Sequence, residues 1–440
     1  MKSLRGKQLL VMGGALFSMH FGASCMLYPM TWGKESGSAV YLAYAGVFLS
    51  GILITLLGYT ALSRGNDSFW GLTKRIAPRF GTVLCSLVVL LVGPVYVIPR
   101  MSASAWDAIL QLLGVESLGT LPVVLFNLVV YGIIFWFIAG KVKVTDRIGK
   151  ILTPIQVLIV LAVVIKGVIT PISATMAPPV YEEPAFVYGF SQAYATGDLL
   201  CALLFGAVLV GDLKKNGLEG NRLQKGLVSV GVVGLGILAL IHLGHMVVGA
   251  HIGESIPLMY SALYAQAAIE LWGQPGGILF AVALVTAVIS CGVGLTASSA
   301  EFFAAMGHQE KRFNVVVAIT CAVSAAISCL GLNEIIDMIG PLLDACYPST
   351  ILLVVYYTFM PKYELGNRQR GLRWAMIVAF LFGLLHVVYV YNGQYGFQLD
   401  WFEAIYTKIP LATYNFAWLP ASAIAFIAGF LCRRKTELSV

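Results

Sequence analysis

Charge is scarce in this chain. Asp, Glu, Lys and Arg make up 11% of its 440 residues, where a soluble protein carries roughly a quarter. That shortage excludes a water-soluble fold of this length. No C-x-x-C pair occurs among the eight cysteines (Cys25, Cys85, Cys201, Cys291, Cys321, Cys329, Cys346 and Cys432), so neither a zinc site nor a disulfide framework is indicated. Most of them sit inside apolar stretches, as small buried hydrophobes do. The first apolar run follows Lys2, Arg5 and Lys7 and lacks an A-x-A-like cleavage site, so it reads as a retained first helix. The formal net charge of +7 is spread over short loops with no basic tract, which removes nucleic acid as a partner. Soluble domains, long linkers and low-complexity segments are missing too, so the expectation is a single membrane domain over 1–440.

What is abundant is apolar length: 59% of the residues are hydrophobic. A bilayer-crossing helix needs about 20 mostly apolar residues. That rule predicts an all-α polytopic membrane protein with twelve spans, near 8–32, 38–62, 81–112, 121–139, 149–171, 186–211, 224–250, 276–303, 313–331, 334–360, 372–391 and 412–432. Lys and Arg collect on the cytoplasmic side of membrane proteins. Here the even-numbered connections are basic, with Arg64, Lys74, Arg75 and Arg79, then Lys141, Lys143, Arg147 and Lys150, then Lys214, Lys215, Arg222 and Lys225. Lys311 with Arg312, then Lys362, Arg368, Arg370 and Arg373, and finally Arg433, Arg434 and Lys435 continue the series. The odd-numbered connections are poor in such residues. The alternation predicts a multi-pass protein of a prokaryotic cytoplasmic membrane with both termini inside. The third span is too long for one crossing and contains Gly93-Pro94 and Pro99-Arg100, which predicts a tilt or kink. Residues 255–272 read as an extracellular helix pair capping a vestibule.

Two spans carry weak helix chemistry at mid-depth. The first reads Phe21-Gly22-Ala23-Ser24-Cys25 with Pro29 beyond, and the sixth reads Ala195-Thr196-Gly197-Asp198. A carboxylate in mid-membrane costs at least about 2.5 kcal/mol on insertion scales. Backbone groups leave the helix ladder there only where protein or a water-filled cavity receives them. If residues 8–171 (spans 1–5) and 186–360 (spans 6–10) form a 5+5 inverted repeat, with 372–432 as two extra helices, the two interruptions occupy equivalent positions, as at transporter binding sites. Free N–H groups around Cys25 and Met26 suit a carboxylate, and free C=O groups around Phe21 and Gly22 suit an ammonium or small cation. A zwitterionic amino acid satisfies both. The predicted substrate-binding set is Gly22, Ala23, Ser24, Cys25, Ala195, Thr196, Gly197 and Asp198.

Short motifs in a fixed order carry a resemblance. They are Phe21-Gly22-Ala23 with Pro29, Gly93-Pro94 with Ile98-Pro99-Arg100, and Asp198 followed by Ala202-Leu203 and Phe205-Gly206. Gly294-Leu295-Thr296 with Ala300-Glu301-Phe302-Phe303, and Tyr347-Pro348 after Pro341, complete the set. Over nearly its whole length the chain resembles the branched-chain amino acid:cation symporter (LIVCS, BrnQ-like) family, within the superfamily of the LeuT-type fold. The resemblance implies import of leucine, isoleucine and valine by symport with a cation, Na⁺ ahead of H⁺, with no cofactor. It further implies Thr296 and Ser299, aided by carbonyls at Phe21 and Gly22, as oxygen ligands of that ion. Two departures stand out: Ser24-Cys25 replaces a Gly-Asn pair, and Ala297 replaces the second of two adjacent hydroxyls. The alternative is an H⁺-coupled transporter of a different amino acid or related zwitterion.

Arg100 and Asp198 are the sharpest intramembrane charges, either a structural or gating pair or, for Asp198, a contact to the substrate ammonium or a proton carrier. Asp337 and Asp344 share one face of span ten, lining the outer path or facing water at a span end. Glu301 reads as an interfacial ion-pair partner, His20 as a proton-linked group, and His242 with His245 as buried neutral histidines rather than metal ligands. No metal beyond the transported cation is expected. Tyr28, Trp32, Trp70, Trp401 and Trp418 read as interfacial anchors, with Tyr28 and Trp32 also placed to gate. Partners reduce to a small amino acid and the bilayer, with no obligate protein partner. An enzyme would need converging acid, base or metal groups at one depth. A channel would need a continuous polar stripe, and a sensor would bind without moving its ligand.

Overall fold

A computed structural model describes residues 6–64, 68–139, 153–307, 310–360 and 366–432. Several basic positions of the loop pattern, Lys2, Arg5, Lys141, Lys143, Arg147, Lys150, Lys362, Arg433, Arg434 and Lys435, lie outside the described residues, as does 149–152 of the expected fifth span. Every regular element among the described residues is helical. In the absence of water the backbone must satisfy its own polar groups, and a helix does so within one segment.

The helices run α1 (Gly6–His20), α2 (Ala23–Ser36), α3 (Val40–Val47), α4 (Ile54–Arg64), α5 (Phe69–Ile76), α6 (Pro78–Leu90), α7 (Val97–Leu113) and α8 (Thr120–Ala139). They continue as α9 (Thr153–Ile169), α10 (Ala185–Gln192), α11 (Asp198–Lys215), α12 (Gly220–Ala250), α13 (Tyr260–Trp272) and α14 (Gln274–Met306). The last are α15 (Phe313–Ser328), α16 (Leu332–Phe359), α17 (Asn367–Tyr395), α18 (Asp400–Tyr406) and α19 (Trp418–Leu431). Among the described residues, seven stretches are long and apolar enough to cross a membrane, or eight if the bent pair 185–196 and 198–215 counts as one. Three shorter apolar helices, 156–169, 313–328 and 418–431, accompany them. The expected count of twelve is not reproduced by this measure, because those three fall below the roughly 20 residues of a full crossing. The protein is nonetheless a multi-pass membrane protein. On α8, for example, Leu121, Leu125, Leu128 and Trp136 are exposed while Asn127, Tyr131 and Ile134 face inward.

Small residues bring the helices together. A Cβ on Gly249 of α12 would strike the Met30 carbonyl of α2, and one on Gly33 of α2 would strike the Met246 carbonyl of α12. Gly189 of α10 and Gly46 of α3 form the same reciprocal contact through the Ala43 and Phe186 carbonyls. Lipid is as apolar as leucine, so close backbone approach rather than burial from water holds such pairs.

The third span kinks where expected. Between α6 and α7, residues 91–95 form a π-helical turn in which Gly93 (φ −89°, ψ −121°) leaves helical geometry. Pro94 cannot donate an N–H, and a π turn of this kind is an identifiable cause of a bend. Hydroxyls from neighbouring helices donate to carbonyls at and just after the kink. Ser324 Oγ donates to the Pro94 carbonyl (3.2 Å), Tyr131 to that of Ile98 (3.2 Å) and Ser328 to that of Pro99 (3.0 Å). The kink is thereby fixed, and it presents Arg100 to the centre of the bundle.

The segment 255–272 is one helix, α13, preceded by a short 3₁₀ turn (Gly253–Ser255), rather than the expected helix pair. Its first residue, Tyr260, donates its backbone N–H to Thr31 Oγ1 (2.9 Å) and sets its ring edge-on against Tyr28. Tyr28 and Trp32, read from sequence as interfacial anchors, are buried and stacked 5.7 Å apart, and Trp418 is buried too. Trp70 is half-buried, and Trp401 alone of the five is freely exposed.

Candidate functional site

Between α1 and α2 the chain leaves the helix for two residues. Gly22 is extended (φ −92°, ψ −176°) and has room only because it lacks a side chain: a Cβ would sit 3.1 Å from Cys291 Sγ and 3.2 Å from Met101 Sδ. The second interruption lies between α10 and α11. A 3₁₀ turn (Ala193–Thr196) ends at Gly197 in the left-handed region (φ 76°), and α11 starts at Asp198 after a 43° bend. The Thr-Gly-Asp sequence thus has a local reason. Glycine takes the left-handed position without strain, and an aspartate in a first helical turn meets the positive end of the helix dipole.

The two interruptions face each other through side chains, in two layers. In one, His20 Nδ1 donates to Asp198 Oδ1 at 2.9 Å, and His20 Nε2 lies 2.7 Å from the Tyr59 hydroxyl. Because Nδ1 must carry a proton to donate, Nε2 accepts from Tyr59 in the neutral ring and donates only in the imidazolium. The Cys25 thiol completes this layer, donating to the His20 carbonyl at 3.2 Å with the Asp198 carboxylate 3.8 Å away. The pair is almost wholly buried.

In the other layer Arg100 is completely buried. Its Nη1 donates to the hydroxyls of Tyr96 (2.6 Å) and Tyr28 (2.9 Å) and to the Ala195 carbonyl (3.0 Å), while Nη2 donates to Ser24 Oγ (2.6 Å). Its plane lies over both tyrosine rings, 4.3 Å and 4.9 Å from their centroids, a cation–π arrangement. The expected Arg100–Asp198 pair does not form. Each has its own partners, His20 for Asp198 and neutral oxygens for Arg100. Among the described residues no carboxylate is bonded to Arg100.

Above this layer opens a cavity of about 340 Å³ lined by Tyr28, Tyr96, Ala195, Tyr260, Asp337 and Asp344, among others. Burial pushes the Tyr260 phenol up to about 12. Both span-ten aspartates line this cavity, and Asp337 is exposed, so the geometry fits either of the two sequence readings. Glu301 instead lines two cavities with Ser298 near the opposite end of α14, and no ion pair involves it among the described residues. His245 bonds the Tyr264 hydroxyl at 2.9 Å and, like His242, is buried.

Of the predicted substrate set, Ser24, Cys25, Ala195 and Asp198 converge, and Gly22 and Gly197 make the interruptions. Ala23 is buried in the first turn of α2, and the Thr196 hydroxyl turns back to the Ala193 carbonyl (2.9 Å). The predicted cation set is less gathered. The α14 side chain against Gly22 is Cys291, which donates to the Met19 carbonyl at 3.6 Å. Ser299, eight residues or about 12 Å further along the helix, faces the kink instead: a Cβ on Gly93 would strike its Oγ. Thr296 and Ser299 nevertheless share one property. Their hydroxyls are buried and without a hydrogen-bond partner among the described residues, whereas Thr286 and Ser290 of the same helix bond back to Ala283 and Ala287.

Tyr59 and Tyr96 were missed from sequence. Tyr96 stands four residues before Arg100, a spacing that places it beside the guanidinium on a helix. Tyr59 carried no local signal, since only the tertiary fold brings its hydroxyl to His20.

This arrangement has relatives among solved structures. Mhp1, a nucleobase-cation-symport-1 family transporter, in a closed conformation with bromovinylhydantoin bound, superposes with a TM-score of 0.60 at 13% identity, over 96% of this chain and 91% of that one. The inward-facing conformation of Mhp1 matches with the same score. The chain shares the fold of these structures. A family model described as "Branched-chain amino acid transport protein" matches residues 5–436. The branched-chain amino acid permease BraB of Bacillus subtilis is 29% identical over 435 residues (98% of this chain, 96% of the relative). The branched-chain amino acid transport system 2 carrier protein of Pseudomonas aeruginosa is 26% identical over 459 residues (99% and 98%). The chain belongs to this family of branched-chain amino acid transport proteins. It is a transport protein and not an enzyme.

Proposed function

We propose that the protein imports the branched-chain amino acids leucine, isoleucine and valine across a prokaryotic cytoplasmic membrane by symport with a cation, through alternating access around α1/α2 and α10/α11. The observation that carries this reading is the meeting of two interrupted helices, joined by His20–Asp198 on one side and by Arg100 between Ser24 and Ala195 on the other. In this reading residues 8–171 and 186–360 are inverted repeats, 372–432 supplies two further helices, and the basic loops with both termini lie inside. Family membership and the relatives' names support the substrate class.

Na⁺ is the proposed coupling ion. The support is the pair of unpartnered buried hydroxyls, Thr296 and Ser299, the second of them beside the Gly93 kink. A buried hydroxyl without a partner costs about 1–3 kcal/mol, and a hard cation bound by oxygens relieves that cost. A cation that binds one conformation better shifts the population toward it, which is how coupling arises. A second reading, proton coupling, is favoured by the buried His20–Asp198–Tyr59 chain at the interruption, since histidine is the side chain that titrates nearest neutral pH.

Purified protein in liposomes, given labelled leucine, isoleucine or valine under an imposed Na⁺ or H⁺ gradient, tests both readings. Uptake concentrated by the Na⁺ gradient and indifferent to ΔpH is expected. Uptake blind to Na⁺ removes the α14 ion site, and no uptake of any of the three amino acids removes the transport reading.

A further inference from the structure

The cavity beside Arg100 carries carboxylates on its wall, and the buried guanidinium lies behind its floor without itself lining the space. At its floor the hydroxyls of Tyr28 and Tyr96 and the carbonyl of Ala195 hold the guanidinium, and those three residues also line the cavity. Asp344, four residues beyond Gly340 on α16, lines the same space, with Asp337 further out. Among the described residues no hydrogen bond or ion pair joins Arg100 to either carboxylate. Arg100 Nε, equally buried, has no hydrogen-bond partner among the described residues.

A fully buried cation held only by neutral oxygens is an expensive arrangement. Burial removes its hydration, and hydroxyl dipoles return only part of what an anion would. Bonds from a guanidinium to a carboxylate are roughly twice as strong as those between neutral groups, and the fork geometry admits two at once. The cavity is also of ordinary small-molecule size, near the lower end of the usual range of about 300–1,000 Å³. Ile336, Pro341 and Val390 give it an apolar side.

We propose that Arg100 takes the substrate's carboxylate and Asp344 its ammonium, so that the cavity selects free amino acids by both charged ends at once. This deepens the transport reading and rests on it. The carboxylate replaces neutral acceptors, Ser24 Oγ or a tyrosine hydroxyl, on the guanidinium, while the branched side chain lies along Ile336 and Val390. Asp198, committed to His20, has no part in holding the ammonium.

The test is inhibition of labelled leucine uptake in proteoliposomes by leucine, leucinamide (no carboxylate) and 4-methylpentanoate (no ammonium). In the wild type, each analogue is expected to inhibit at least about tenfold more weakly than leucine, the lower end of what a charge-assisted bond supplies. Arg100→Gln is expected to raise the leucine KM and abolish the preference for leucine over leucinamide, while the preference over 4-methylpentanoate survives. Asp344→Asn is expected to do the reverse. A residue that merely supports the fold would weaken all three ligands together. If Arg100→Gln does not fold, Arg100→Lys is expected to reduce the leucinamide discrimination without erasing it. Wild-type uptake inhibited as well by leucinamide or by 4-methylpentanoate as by leucine overturns the two-ended clamp while leaving transport standing. Variants that discriminate as the wild type does overturn it equally. A wild type that imports none of the three amino acids overturns the transport reading itself.

Discussion

At the scale of single residues, the bundle divides its intramembrane charges between two unlike solutions. His20 and Asp198 are direct partners, and removing one member of a buried pair strands the other at a cost of about 3–5 kcal/mol. Asp198→Ala and His20→Ala are therefore expected each to lower the thermal midpoint of the detergent-solubilised protein sharply. The double variant is expected to lose much less than the sum of the two; strict additivity would mean the pair is not coupled. On α14, Thr296→Ala removes a hydroxyl that has no protein partner among the described residues. It is expected to leave the midpoint in Na⁺-free buffer unchanged or raised, and to weaken the Na⁺ dependence of uptake. Unaltered Na⁺ dependence would take Thr296 out of the ion site. Arg100 and Asp198 were recognisable from sequence as functional charges, because an ionisable group in an apolar run is rarely there by accident. Their partners were not, since pairing depends on depth and rotation that only packing supplies.

Among the elements, glycine contacts decide which helices touch. The reciprocal contact of α2 with α12 puts Gly249 against the Met30 backbone, whereas Gly236 of the same helix has open space where a Cβ would go. Gly249→Ala is accordingly expected to destabilise the protein by about 1–3 kcal/mol or more, because backbone cannot step aside as a side chain can. Gly236→Ala should be neutral. The comparison is read from thermal midpoints and from the monodisperse fraction recovered on size exclusion, and equal behaviour of the two variants would refute the packing argument. The kink of the third span was legible, because Gly93-Pro94 breaks the ladder whatever surrounds it. The single helix α13 was mistaken for a pair, since a moderately apolar stretch of this length has no internal signal that says where a 3₁₀ turn ends.

For the whole molecule, an interrupted helix pair enclosed by continuous helices suits a carrier whose site is open to one side at a time. Leucine uptake is therefore expected to saturate with external leucine. Unlabelled leucine preloaded inside is expected to accelerate entry of label, an exchange that a continuous pore does not produce. Linear, unaccelerated flux would argue for a channel. The cavity beside Arg100 is bounded by α16 and α17, and one of the two cavities at Glu301 by α11 and α14, so they lie on different walls of the bundle.

By itself the amino-acid sequence determined the class of environment, the two interruptions and the kink. Each is a local property: apolar length answers to the bilayer, and glycine, proline and aspartate answer to the backbone next to them. Tertiary structure alone decided the partners. It gave Asp198 to His20, brought Ser24, Tyr28 and Ala195 to Arg100, and moved Ser299 from the first span to Gly93. Such contacts join residues scores of positions apart, and their geometry is fixed by how close two helices approach and how each is rotated, quantities that no single stretch of sequence contains.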